Sequence, residues 1–255
     1  MKTALVTGGN RGIGEQVCRA LARAGWDVLL TARDPDRGEA AAARLRRETG
    51  GGVRFVPLDV TSAGSIADLV SVLHREGIRL DALVNNAGIS GAPRGRAGAR
   101  RTLETNFFGP LRVTEALLRF LNDGATITNV TSGLGALARL SPRGRRELGD
   151  PALTRERLAA LMEDCAGTGA HGWGADAYGV SKAGLNALTR ILARDLAPRR
   201  IRVNATCPGW VRTDMGGRHA PRSVQDGAAS VLFGVTVPEA GPTGKVLRDG
   251  REIEP

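Results

Sequence analysis

The sequence predicts an α/β fold built on a doubly wound parallel sheet of about seven strands, with a helical insertion after the fifth strand. Three observations carry this prediction. Short apolar runs recur at Thr3–Val6, Val28–Thr31, Val53–Val56, Ala82–Val84, Ala125–Val130, Arg202–Ala205 and Lys245–Leu247. They are apolar throughout rather than alternating, as strands covered on both faces must be. Most are separated by helix-like stretches, the crossovers that parallel strands require. A glycine-rich turn, TGGNRGIG at 7–14, joins the first run to the first helix. Such a turn is the mark of a Rossmann-type sheet.

Taken in order, the first crossover keeps Ile13, Val17, Ala20, Leu21 and Ala24 on one face, and Gly25 stops it. Residues 35–48 and 66–75 read as the next two helices. Residues 89–99 (ISGAPRGRAGA) are a loop before a helix beginning near Arg100, and 133–177 form a long insertion. Within it, Thr154 is placed to cap a helix whose Leu158, Leu161, Met162 and Cys165 make an apolar stripe. No repeat or linker divides the chain, so 1–255 is expected to be one domain, with a substrate lid at about 211–235.

Of the 255 residues 42% are hydrophobic and 4% aromatic, and no apolar run approaches the roughly 18 residues a membrane helix needs. The glycine turn lies too near the start to leave room for a secretory leader, and a cytoplasmic location is expected. Cys18, Cys165 and Cys207 fit neither a disulfide framework nor metal-ligand spacing, and the three histidines are scattered, so no metal is expected. The net charge of +10 comes mostly from dispersed arginines without interleaved aromatics. It reads as a solvated surface rather than a nucleic-acid site.

Gly8, Gly12 and Gly14 permit a tight turn and close backbone approach, while the helix behind them offers unpaired N–H groups to a pyrophosphate. Dinucleotide folds that favour NAD carry an acid at the end of the second strand. Here Ala32 occupies that place, followed by Arg33, and Arg11 stands within the glycine turn. Two guanidinium groups suit a 2′-phosphate, which favours NADP(H). Tyr178, the only tyrosine, lies four residues before Lys182. On one helix face the ammonium is expected to lower the phenol pKa and ready it for proton transfer to a carbonyl oxygen. Ser132 closes the fifth strand, where the crevice of a parallel sheet opens.

Together these residues resemble the short-chain dehydrogenase/reductase family along nearly the whole chain. The matching motifs are Thr7-Gly8-x3-Gly12-x-Gly14, Leu58-Asp59-Val60, Asn85-Asn86-Ala87-Gly88, Asn106, Ser132, Tyr178-x3-Lys182 and Pro208-Gly209, in the family's order. The resemblance implies Ser132, Tyr178 and Lys182 as the catalytic triad, with Asn106 anchoring a water-linked proton relay. It implies cofactor contacts from Gly8, Asn10, Arg11, Gly12, Ile13, Gly14, Arg33, Asp59, Val60, Asn86, Ala87 and Gly88, and also from Pro208, Gly209, Val211 and Thr213. Tyr178 and Lys182 would touch the cofactor as well.

Tyr178 lies 46 positions beyond Ser132, against the dozen or so residues usual in the family. That length, with Thr31-Ala32-Arg33-Asp34 and Pro208 to Met215, resembles the carbonyl reductase subgroup, whose inserted helix covers the face other members use to oligomerise. A monomer is implied, acting as an NADPH-dependent reductase of small-molecule ketones, aldehydes or quinones, with no nucleic-acid or membrane partner. Two alternatives stand beside it: alcohol oxidation with the same residues, and a non-catalytic NADP-binding regulator, which the intact Ser132, Tyr178 and Lys182 argue against because it needs no proton donor.

Overall fold

The computed structural model describes all 255 residues, Met1–Pro255. Its strands are β1 (Thr3–Val6), β2 (Asp27–Ala32), β3 (Val53–Pro57), β4 (Leu80–Asn85), β5 (Leu121–Val130), β6 (Arg202–Thr206), β7 (Val246–Arg248) and β8 (Arg251–Glu252). They form one sheet in the order β3-β2-β1-β4-β5-β6-β7-β8. The chain reverses direction of winding between β1 and β4, and ligands of such sheets lie beyond the carboxyl ends at that switch point. All pairings are parallel except β7 with β8. The eighth strand, unforeseen in the sequence, is a two-residue edge strand reached through the Asp249-Gly250 turn, too short to leave a periodic signature.

The helices are α1 (Gly12–Arg23), α2 (Pro35–Thr49), α3 (Ala63–Arg75), α4 (Arg96–Leu103), α5 (Gly109–Leu117), α6 (Pro142–Gly149), α7 (Arg155–Thr168), α8 (Ala177–Asp195) and α9 (Val224–Thr236). Side chains at the caps set several starts: Asp34 accepts from Arg37 N, Ser62 from Ser65 N, and Asp176 from Gly179 N. Helix α4 begins four residues before the expected Arg100, because Gly95 at φ 97° turns the chain into it. The region 211–235, expected as a lid, is not one loop. Residues 224–236 are α9, whose Gly227, Ala228, Val231 and Val235 are buried, which leaves only the stretch before it as a covering loop.

Apolar side chains pack in two groups on opposite faces of the sheet. The larger joins β4 and β5 to α3, α5, α7 and α8, and the smaller joins β1 and β2 to α1, α2 and α9. No helix is long and apolar enough to cross a membrane. The 133–177 insertion is ordered as two short 3₁₀ turns, α6 and α7. Thr154 caps α7 as expected, accepting from Arg157 N at 3.2 Å. The stripe Leu158, Leu161, Met162 and Cys165 is buried against α4 and α8. Gly184 of α8 makes the close approach possible, since a Cβ there would stand 2.6 Å from Met162 Sδ.

Met162 is fully buried at this helix crossing, so Met162→Ala is expected to lower the unfolding free energy by about 2–4 kcal/mol, through lost burial and a residual cavity. Urea denaturation followed by circular dichroism measures it; an unchanged midpoint would mean that α7 is not an integral layer.

Candidate active site

The carboxyl ends of β1, β4, β5 and β6 converge, and each contributes a segment of the site. Gly8 and Gly12 adopt φ of 63° and 55°, values open to glycine at little cost. Gly14 is packed so closely against Gly8 O and Asn86 Nδ2 that no Cβ fits. Helix α1 starts after Arg11 without a side-chain cap, so its first N–H groups face the turn unpaired by any side chain. Asn10 and Ile13 flank them, partly buried.

Thr7 ties this turn to β4. Its hydroxyl accepts from Asn86 N (2.9 Å) and Ala87 N (3.0 Å) and donates to Val84 O (3.3 Å). The Asn86 amide returns the contact, donating to Thr7 O (2.8 Å) and Gly8 O (3.0 Å). Asn86 therefore shapes the glycine turn with its side chain, and only its backbone is left to line the groove.

Arg33 is exposed at the end of β2 and has no acidic partner. Asp34 caps α2 and pairs with Arg37 instead. Arg11, expected to be free, pairs with Asp214 at 2.6 Å, both side chains mostly exposed. The pair reaches across the groove to the loop after β6, whose Thr213 methyl would stand 3.4 Å from a Cβ on Gly12. Asp59 accepts from Thr61 N (2.9 Å) and Thr61 Oγ1 (2.7 Å) through Oδ1, leaving Oδ2 unpaired. Val60 is buried against Gly109.

Asn106 lies in a turn of π-helix, Glu104–Phe108, a distortion frequent at functional sites. Its side chain is wholly buried. It accepts from Ile89 N (2.8 Å) and donates to Ile89 O (2.9 Å) and Ser181 Oγ (3.2 Å). Asn106 thereby pins the 86–89 segment against α8. Gly88 fits between: a Cβ there would lie 3.3 Å from Asn106 Oδ1 and 3.7 Å from Lys182 Nζ.

Ser132, Tyr178 and Lys182 meet at the ends of β5 and α8. Ser132 Oγ accepts from Leu134 N at 3.2 Å, and its own proton is directed toward the Tyr178 phenol oxygen. Lys182 is buried, donates to Val130 O at 2.8 Å and sits 5.7 Å from the Tyr178 ring centroid. Burial lowers the Lys182 pKa from 10.5 to about 8, partly offset by the Cys207 thiol. Burial also raises the Tyr178 pKa above 10, and the neighbouring Ser132 hydroxyl pulls it part of the way back. This corrects the expectation that Lys182 lowers the phenol pKa. Here the ammonium is spent on a carbonyl and lies over the ring face, and desolvation dominates.

From β6, Pro208 and Val211 are buried while Gly209 turns at φ 78°. Thr213 Oγ1 donates to Val211 O and accepts from Gly216 N (3.1 Å). The loops after β5 and β6 carry Leu134, Trp210 and Met215, all of the large exposed apolar side chains except Met1. They give the site an apolar rim. Several contributors lay beyond sequence reading. Thr7 was visible as part of the glycine motif, whereas Cys207, Asp214, Arg222 and Arg248 carry no spacing signal and enter through tertiary contact alone.

Comparison with known proteins follows from this geometry. A family model described as short chain dehydrogenase matches residues 2–141, and one described as enoyl-(acyl carrier protein) reductase matches 157–232. Carbonyl reductase [NADPH] 1 of Sus scrofa is 40% identical over 273 residues, covering 99% of this chain and 94% of the relative. The Homo sapiens protein of the same name is 41% identical over 268 residues, covering 97% and 96%. Among solved structures, salutaridine reductase from Papaver somniferum superposes with a TM-score of 0.88 at 32% identity, covering 96% of this chain and 99% of that one. An NADPH-bound carbonyl reductase from chicken fatty liver superposes at 0.77 and 27% identity, covering 100% and 99%.

The buried ammonium gives a stability test. Between pH 8 and 10.5 the unfolded chain holds a proton that folded Lys182 releases. Stability therefore rises with pH across that window, and the full penalty applies below it. The raised Tyr178 pKa works oppositely, its contribution being lost as pH climbs above 10. Lys182→Met is expected to stabilise the ligand-free protein at pH 7 by on the order of 1–3 kcal/mol. It should also flatten the rise between pH 8 and 10; thermal melts across that range read both effects.

Proposed function

The chain belongs to the short-chain dehydrogenase/reductase family, and on that premise we propose that it is an NADPH-dependent carbonyl reductase acting on small-molecule ketones, aldehydes or quinones. The observation that carries the reading is the meeting of Ser132, Tyr178 and Lys182 at the mouth of a groove that begins at an uncapped helix N-terminus. The groove fits a dinucleotide phosphate. Gly14 leaves no room for a side chain, α1 presents free N–H groups, and Arg33 stands unpaired at the second strand. NADPH, when bound, supplies the hydride that reaches the carbonyl carbon.

The protein's own groups handle the oxygen. Tyr178, its pKa raised by burial, stays protonated at neutral pH and serves as general acid toward the developing alkoxide. Ser132, whose hydroxyl faces the phenol in the ligand-free protein, turns its proton to the same oxygen in a hydrogen bond. Lys182, largely cationic at pH 7 with a pKa of about 8, keeps a positive charge beside the phenol and offers it to the cofactor ribose. Asn106, by fixing Ile89 and Ser181, holds the Gly88 backbone beside Lys182 and anchors the proposed relay. Gly8, Asn10, Gly12, Ile13 and Gly14 would seat the pyrophosphate, with Asp59, Val60, Asn86, Ala87 and Gly88 on the adenosine side. Pro208, Gly209, Val211 and Thr213 would border the nicotinamide.

Arg33 is the principal reader of the 2′-phosphate in this proposal; Arg11 joins it once released from Asp214. The apolar rim of Leu134, Trp210 and Met215 favours substrates with an apolar body. We read 1–255 as one catalytic domain that works as a monomer, because α7 covers α4 and α8. Three buried, unpaired cysteines favour a cytoplasmic setting. Many arginines, among them Arg19, Arg54, Arg100 and Arg155, are paired with carboxylates, which argues for a solvated surface without nucleic acid.

Two measurements test the proposal. Tyr178→Phe is expected to cut turnover of a quinone or ketone about 10²- to 10⁴-fold while NADPH binding, followed by fluorescence, persists; wild-type turnover in that variant would refute the assignment. Arg33→Glu is expected to weaken NADPH binding about tenfold or more with NADH binding little changed. An equal loss for both dinucleotides would remove Arg33 from 2′-phosphate recognition.

A further inference from the structure

The β7–β8 hairpin, at the far edge of the sheet, sends two side chains back toward the site. Arg248 donates through Nη2 to Cys207 Sγ at 3.0 Å, and the same nitrogen would lie 2.9 Å from a Cβ on Gly133. Its guanidinium thus occupies the side-chain space of the residue directly after Ser132. Arg248 Nε is buried without a hydrogen-bond partner, an arrangement that costs free energy and is not a device for stability.

Asp249, at the turn, takes Arg222 in a bidentate pair, 2.7 and 2.6 Å. Arg222 in turn lies under the loop after β6: a Cβ on Gly209 would meet Arg222 Cδ at 2.5 Å. Its backbone bridges to the same loop, accepting from Arg212 N (2.9 Å) and donating to Trp210 O (3.2 Å). Asp249 N is held by Ser230 Oγ (3.0 Å), which donates to Cys207 O (3.1 Å). The hairpin therefore reaches two glycines next to different parts of the site, Gly133 directly through the Arg248 guanidinium and Gly209 through Arg222, which Asp249 holds.

We propose that the hairpin is a positioning element with two separable arms. Arg248 sets the Gly133 backbone and with it the Ser132 hydroxyl; the Asp249–Arg222 pair sets Gly209 and the loop that follows it. The inference rests on the roles given above to Ser132 and Gly209. It makes Arg248 a determinant of the chemical step and Asp249 a determinant of dinucleotide affinity. Neither residue touches the reactants.

The test uses the full chain and the variants Arg248→Met, Arg248→Lys and Asp249→Asn, each first shown to fold by its melting curve. NADPH affinity is read by fluorescence titration and hydride transfer by single turnover with saturating NADPH and a quinone. Amide hydrogen exchange is read without ligand over peptides 130–137 and 207–214. Arg248→Met is expected to slow single turnover about tenfold, leave affinity near wild type, and raise exchange at 130–137 but not over 209–214, beyond its own partner Cys207. Arg248→Lys, which keeps a donor for Cys207 Sγ, should recover much of that rate. Asp249→Asn is expected to weaken NADPH binding about fivefold, leave the saturated rate near wild type, and raise exchange only at 207–214.

Variants that change rate and affinity by a common factor, or raise exchange in both segments or in neither, would overturn the two-armed device. If the wild-type chain transfers no hydride, the functional reading falls. The exchange data then still decide the bracing: localised increases uphold it and diffuse or absent ones discard it.

Discussion

Most of the site depends on a hydroxyl at the ends of two neighbouring parallel strands. Thr7 accepts two backbone N–H groups from the end of β4 and returns its proton to Val84 O. That side chain joins the glycine turn to the 86–88 segment at the point where the sheet changes its direction of winding. Without it, Ala87 N would lose its acceptor and Asn86 N would keep only Val84 O (3.1 Å), and buried donors are costly to strand. The end of β1 and the 86–88 segment are held to one another by Thr7 and Asn86.

Polar contacts continue this stitching beneath the catalytic helix. Asn85 donates to Thr114 Oγ1 (3.0 Å) and Asn129 Oδ1 (2.8 Å), and Asn129 donates to Thr189 Oγ1 (2.9 Å). Thr131 donates to Asn186 Oδ1 at 2.7 Å. Apolar packing alone lets helices slide on a sheet at small cost; directional bonds between buried partners do not. Here α8 is fixed along its length, so that Tyr178 in its first turn arrives beside Ser132. The charge of Lys182 is accommodated in this polar layer at the expense of its basicity.

The fold was largely legible in the chain. The strands are mostly short with predominantly apolar stretches, and the helices carry caps such as Asp34 and Thr154 whose chemistry acts locally. Ser132, Tyr178 and Lys182 could be chosen because their positions at a strand end and on a helix face follow from the elements themselves. What escaped was tertiary. The direction of the Tyr178 shift depends on burial, which spacing does not report. The Arg11–Asp214 pair joins residues 203 positions apart. The start of α4 turned on the conformation of Gly95, and β8 was too short to show a period.

Gly133 and Arg248 also bear on how the protein can change. A methyl group on Gly133 would stand 2.9 Å from Arg248 Nη2, so a larger residue at 133 asks the guanidinium to shift or the side chain at 248 to shorten. A small side chain at 248 would leave that volume open to alanine at 133. Substitution in the active-site loop is thus eased or resisted from the edge of the sheet.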